Sequence, residues 1–152
     1  MGLRNVILEG DEVLRKRSKE VKEVSGRILS LLDDMWETLE SYNGIGLAAP
    51  QVGVLRRLAV IDTGAEGERI ELINPRIISA EGSAEEEEGC LSFPGLIGIV
   101  ERPQRLTVEA MGRDGKLFTI EGEGLLAKAL SHEIDHLDGV LFVDKAISLE
   151  EA

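Results

Sequence analysis

The segment from Gly124 to Asp138 constrains this chain more than any other. Leu126, Leu130, Ile134 and Leu137 recur at helical intervals and make one apolar stripe. Gly139 stands just beyond, where a glycine commonly ends a helix. The same segment carries His132 and His136, the only two histidines of the sequence. A spacing of four puts them about one turn apart on one face of the helix. A fold built around this helix must bury the stripe and leave room for whatever the histidines hold.

His132-Glu133-Ile134-Asp135-His136 has the pattern of two imidazoles that share a metal ion, with Glu133 in reach of a water at that ion. The bland alternative is a chance pattern with both rings on the surface. Against it, the histidines bracket a glutamate on a predicted helix. Catalytic sites of this kind usually have three protein ligands and an open position. One protease group continues with a glycine and a third histidine; Gly139 matches the glycine, but Phe142 stands at the histidine position. Another group uses a downstream glutamate, and only Glu150 and Glu151 follow, where a rigid ligand is not expected. Cys90 remains the best candidate, since a thiolate binds a borderline-soft divalent metal strongly. As the only cysteine it forms no intrachain disulfide, and on its own it could equally be a small buried hydrophobe. Asp135 and Arg102 could pair or be solvated, and Asp135 could instead orient a ligand histidine.

The rest of the chain reads as one α+β domain spanning 1–152, with short, mostly antiparallel strands packed around the C-terminal helix. Residues 1–24 suggest an extended arm turning near Gly10-Asp11. Ser25 could cap a second helix from about Arg27 to Tyr42, with Ile28, Leu32, Met35 and Leu39 on its apolar face. Gly44 to Gly53 reads as a glycine-rich loop. Leu58–Ile61 and Ile70–Ile73 read as buried strands, with Asn74-Pro75 interrupting before a further strand over 76–80. Glu85 to Glu88 has the look of a solvated acidic run. Leu106, Val108 and Ala110, then Phe118 and Ile120, alternate about Arg113-Asp114-Gly115 as a hairpin.

Only five residues are Phe, Trp or Tyr, so aliphatic side chains must make the core. The formal net charge of −12 argues against nucleic-acid binding and against anionic membrane surfaces. No apolar run approaches the ~18 residues of a membrane span, and the N-terminus has no signal-peptide pattern. A cytoplasmic location is the expectation.

Three boxes together resemble the peptide deformylase family: Gly44-Ile45-Gly46-Leu47-Ala48-Ala49-Pro50-Gln51, Glu88-Gly89-Cys90-Leu91-Ser92 and His132-Glu133-Ile134-Asp135-His136. They occur in the family's order, and the likeness extends to Asp11–Arg15 and Gly124–Val143. The resemblance implies removal of the formyl group from the N-terminal formyl-methionine of nascent chains. It implies Cys90, His132 and His136 as metal ligands, Glu133 as general acid–base, and Gln51 with the backbone N–H of Leu91 as oxyanion donors. Gly46 and Gly89 would contact the substrate backbone. The metal is typically Fe²⁺, with Zn²⁺, Ni²⁺ or Co²⁺ able to take its place. An apolar pocket for methionine is expected from Ile45, Leu125 and Ala129, the last two on the metal-facing side of the helix.

The sequence departs from the family in having Ser131 before the first histidine, where Gln is common, and Gly10-Asp11 for Pro-Asp. Many members continue into a basic C-terminal segment sometimes linked to ribosome contact. Here the sequence ends in the acidic Ser148–Ala152, which weakens the expectation of ribosome docking by that route. Two rival readings are an ordinary HExxH zinc endopeptidase and a metal-carrying or peptide-binding module without turnover.

Overall fold

The computed structural model describes residues 2–151. Its centre is a five-stranded antiparallel sheet in the order β1-β2-β3-β6-β7, built from β1 (Gly46–Ala48), β2 (Leu58–Asp62), β3 (Arg69–Glu81), β6 (Arg105–Met111) and β7 (Leu117–Glu123). A second, three-stranded sheet runs β4-β5-β8, from β4 (Ala84–Glu88), β5 (Leu96–Arg102) and β8 (Ala146–Glu151). The helices are α1 (Gly26–Ser41), α2 (Leu125–Leu137) and the single turn α3 (Phe142–Lys145).

The alternation of a strand's side chains explains why the larger sheet is covered on both faces. On β2, Ala59 and Ile61 point to one side and pack with Leu126, Leu130, Ile134 and Leu137 of α2. Leu58 and Val60 point the other way, onto Leu32, Met35, Trp36 and Leu39 of α1. A strand buried on both faces reads as a continuous apolar run, as Leu-Ala-Val-Ile does here. Burying one such Leu is worth roughly 1.5–3 kcal/mol. Packing therefore holds α1 in place, for Ser25 sits at its N-cap without a side-chain cap bond. The third core, with Leu14, Phe93, Val100, Leu141 and Phe142, lies against the smaller sheet.

The two helices, the paired strands at 58–62 and 69–73, and the hairpin β6–β7 are as expected, and Gly139 takes the left-handed conformation (φ 76°) that ends α2. Three expectations are corrected. The segment 44–53 is not wholly loop, because Gly46–Ala48 pairs with β2 and Ala49–Val52 forms a 3-10 turn. Asn74-Pro75 does not split two strands. Asn74 adopts φ 52° and the register shifts between Ile73 and Arg76, so one long strand passes through a bulge. The side chain of Asn74 clamps the N-terminal arm, accepting from the Val21 N–H and donating to its carbonyl, both at 2.8 Å. Glu85–Glu88 is part of strand β4, not a featureless solvated run, and its last residue is buried. Glu150 and Glu151, set aside as ligands from the sequence, do lie outside the metal-ligating group and belong to a paired strand, β8.

Candidate metal centre

Two elements meet to make the site. α2 presents His132 and His136, buried at 8% and 1% exposure, with Nε2 atoms 3.2 Å apart. The turn that follows β4 delivers Cys90, whose Sγ lies 3.4 Å from His136 Nε2. The three ligand atoms fall within 4.8 Å of one another. This spacing can be tested against an ion. Donors at ~2.0–2.1 Å (nitrogen) and ~2.3 Å (sulfur) in a tetrahedral arrangement stand about 3.3 Å (N to N) and 3.6 Å (N to S) apart. The observed separations fit a single divalent cation.

Side chains behind the ligands fix their orientation. Nδ1 of His132 donates to Glu88 Oε1 at 2.8 Å, which leaves the Nε2 lone pair facing Cys90 and His136. Glu88 is in turn gripped by Arg102, with Nε to Oε2 at 2.6 Å and Nη2 to Oε1 at 2.9 Å. Arg102 reaches on to Asp135 through Nη1 at 2.7 Å, and Lys145 meets the same carboxylate at 3.0 Å. The Asp135–Arg102 pair anticipated from sequence is thus present. The residue that holds a ligand histidine, however, is Glu88 and not Asp135. Phe142, at the third-histidine position of the protease pattern, lies with its ring centroid 6.0 Å from that of His132 and packs edge-on against Phe93.

The surroundings push the two imidazoles in opposite directions. Burial drags the His132 imidazole down, yet its contacts with Cys90 and Glu88 and the charge of Glu133 outweigh this and hold it at about 10. Burial, with His132 beside it, pushes His136 well below the ordinary imidazole value.

Glu133 is 3% exposed, and burial lifts its carboxyl to about 7. Its Oε1 is buried without a partner in the protein. Its Oε2 rests against Gly46, where any Cβ would collide with it. Gly46 therefore makes room for the carboxylate, a role beyond the substrate contact expected of it. Gln51, buried in the 3-10 turn, accepts from the Ala48 N–H at 3.0 Å. It donates through Nε2 to Ser92 Oγ at 3.1 Å and towards Cys90 Sγ at 3.5 Å.

These groups face a cavity of about 380 Å³. Glu133, Gln51, Cys90, His132 and Leu91 line it, as do Gly46 and Gly89. Ile45, Leu125 and Ala129 supply the apolar walls. His136 lies deeper, behind the other ligands. Sequence reasoning missed three further participants: Glu88, Ser92 and Lys128. Glu88 had one usable signal. In an extended run of four glutamates the second and fourth share a face, and the fourth abuts Gly89-Cys90.

The family model described as polypeptide deformylase matches residues 3–152. The chain belongs to the polypeptide deformylase family. Members of that family are metal-dependent hydrolases that remove N-formyl groups from nascent peptides. A peptide deformylase of Acetivibrio thermocellus is 57% identical over 147 residues, 97% of this chain and 85% of that protein. One from Caldicellulosiruptor bescii is 58% identical over 97% of this chain and 87% of that one. The crystal structure of a peptide deformylase from Legionella pneumophila superposes with a TM-score of 0.92 at 48% identity, covering 95% of this chain and 86% of that chain. The deformylase fold thus accounts for the antiparallel sheets around α2. No helix among the described residues is long and apolar enough to cross a membrane.

Proposed function

We propose that this deformylase-family chain, acting as one catalytic domain over 1–152, hydrolyses the formyl group of N-formylmethionyl nascent peptides in the cytoplasm and releases formate. The observation that carries the reading is the convergence of one sulfur and two imidazole nitrogens beside the unpartnered carboxyl of Glu133. Cys90, His132 and His136 hold the metal, and Fe²⁺ is the ion we assign, with Zn²⁺, Ni²⁺ or Co²⁺ suited to the same donors. A bound ion of this type polarises a carbonyl oxygen and makes water acidic enough to attack at neutral pH.

The chain's own groups do the rest. Glu133, lifted to about 7 by burial, takes the proton of the attacking water and hands it to the departing amine. A positioned acid–base of this sort typically contributes ~10²–10⁴-fold. Water adds to the formyl carbon, the C–N bond breaks, and formate and a free amino terminus leave. As charge grows on the formyl oxygen, the Gln51 amide and the Leu91 N–H stabilise it; losing one such donor typically costs ~10²–10³ in rate. Gly46 and Gly89 give the peptide backbone close access, and Ile45, Leu125 and Ala129 accept the methionine side chain. The metal chemistry needs no membrane and no nucleic acid.

Metal-loaded protein is expected to release formate from formyl-Met-Ala and to leave an unformylated internal peptide intact. Glu133→Ala should keep its metal and lose turnover by at least ~10²-fold. Cys90→Ala should lose tight metal binding. Cleavage of the internal bond alone would favour an endopeptidase, and an inactive wild-type holoprotein would favour a non-enzymatic module.

A further inference from the structure

Lys128 is the one lysine or arginine, among the described residues, that lines the cavity beside the metal centre. It sits on α2 one turn before His132, between Leu125 and Ala129, the walls assigned to the first side chain of the substrate. Its Nζ crosses to β4 and donates to the Glu87 carbonyl at 2.7 Å. The same side chain also lines a neighbouring cavity of about 560 Å³, whose other walls include Glu86, Arg102, Gln104 and Arg105. The strut from α2 to β4 is therefore a partition between the two spaces. Its stem is apolar and its end is a cation with two N–H donors beyond the one given to Glu87.

We infer that Lys128 ends the side-chain pocket and sets its specificity, in length and in charge. This rests on the deformylase reading of the cavity. The methylene stem of Lys128 continues the apolar wall alongside an unbranched side chain. The ammonium caps the far end, favouring a side chain that finishes in a hydrogen-bond acceptor. Methionine sulfoxide, with its strongly accepting oxygen, has that chemistry at methionine length. Side chains longer than the pocket meet the strut, and cationic ones meet its charge.

The test compares metal-loaded wild type, Lys128→Met and Lys128→Ala on three formyl peptides that share an Ala-Ser tail. Their first residues are norleucine, methionine sulfoxide and 2-aminooctanoate. In Lys128→Met, which keeps the stem and removes the charge, the sulfoxide-to-norleucine ratio of kcat/KM should fall about tenfold or more, the order expected for a charge-assisted bond. In Lys128→Ala, which merges the cavities, the 2-aminooctanoate-to-norleucine ratio should rise by about tenfold or more. The deformylated product peptides provide a second readout, since their relative affinities should shift in the same directions. Ratios unchanged in both variants, with deformylation intact, would overturn the role of Lys128 and leave the deformylase reading standing. Absence of deformylation in the wild type would overturn both.

Discussion

Two arginines organise charge in this molecule, and they do so at nearly the same bond lengths. Arg102 holds Glu88 at 2.6 Å and Asp135 at 2.7 Å. Arg113 holds Glu71 at 2.6 Å and Asp33 at 2.9 Å. What separates them is water. The side chains of Arg102 and Glu88 are 3% and 2% exposed, whereas those of Arg113 and Asp33 are 44% and 62% exposed. The buried network ends on a metal-ligating histidine. The exposed one ends on the indole of Trp36, which donates to Glu71 at 2.6 Å. Distance alone thus says little about what an ion pair does. In the dry network, among the described residues, the Glu88 carboxylate has only Arg102 and His132 as partners, so removing the guanidinium leaves a buried charge half-paired. In the wet network solvent replaces whatever is lost.

The largest effect should follow Arg102→Ala. It leaves the buried Glu88 carboxylate without its guanidinium, and breaking one side of a buried pair typically costs 3–5 kcal/mol. Glu88 would then hold the His132 ring less firmly, and loss of such support typically lowers metal affinity ~10–100-fold. Denaturant titration of the metal-free protein reads the first effect and competitive chelation reads the second. A loss below about 1 kcal/mol with metal affinity unchanged would break the distinction drawn between the two networks.

Glu88→Gln should come next, and its effect depends on pH. Burial opposes ionisation of Glu88, but the bonds from Arg102 and His132 prevail and hold its carboxyl at about 2, down from 4.5. A depressed carboxyl stabilises the fold above its unfolded pKa and loses that contribution as pH falls through the folded one. In the metal-free protein the acid limb between pH ~4.5 and ~2 should therefore carry on the order of 3 kcal/mol from this one group. Glu88→Gln should flatten that limb. A wild-type stability curve already flat across this window would show that the network does not discriminate between charge states.

The same contrast explains how much of the site could be read from sequence. His132, Glu133 and His136 were legible because helical spacing brings them towards one face. Cys90 was only the best remaining third ligand until the three-box resemblance to the deformylase family supported it. Glu88 was not. Four consecutive glutamates conceal the period of a strand, since only the fold decides that Glu85 and Glu87 meet water while Glu88 meets Arg102. β8 was hidden because it is short and lies exposed over most of its length, with Ile147 and Leu149 at the surface. The bulge at Asn74-Pro75 escaped because proline ordinarily argues against a central strand, and it is tolerated here only at a register shift where Asn74 turns to a positive φ. Lys128 was missed because a lysine on a helix normally reads as solvated.

The smallest effect should follow Arg113→Ala. The bond from Arg113 is the main influence holding the Glu71 carboxyl below its usual value. Even so, exposed pairs of this kind rarely contribute more than ~1 kcal/mol, because solvent screens both partners and ordering two side chains offsets the attraction. Trp36 keeps its bond to Glu71 in the variant, and Arg69, stacked 3.9 Å from the indole centroid, keeps a positive charge nearby. Denaturant titration should therefore find a loss of ~1 kcal/mol or less at low salt. Near 1 M salt, where the screening length is only ~3 Å, the loss should shrink further. The corresponding loss for Arg102→Ala should barely respond to salt, because ions do not enter the buried network. A strong salt dependence at Arg102, or a salt-independent loss of several kcal/mol at Arg113, would reverse the assignment of which network is wet.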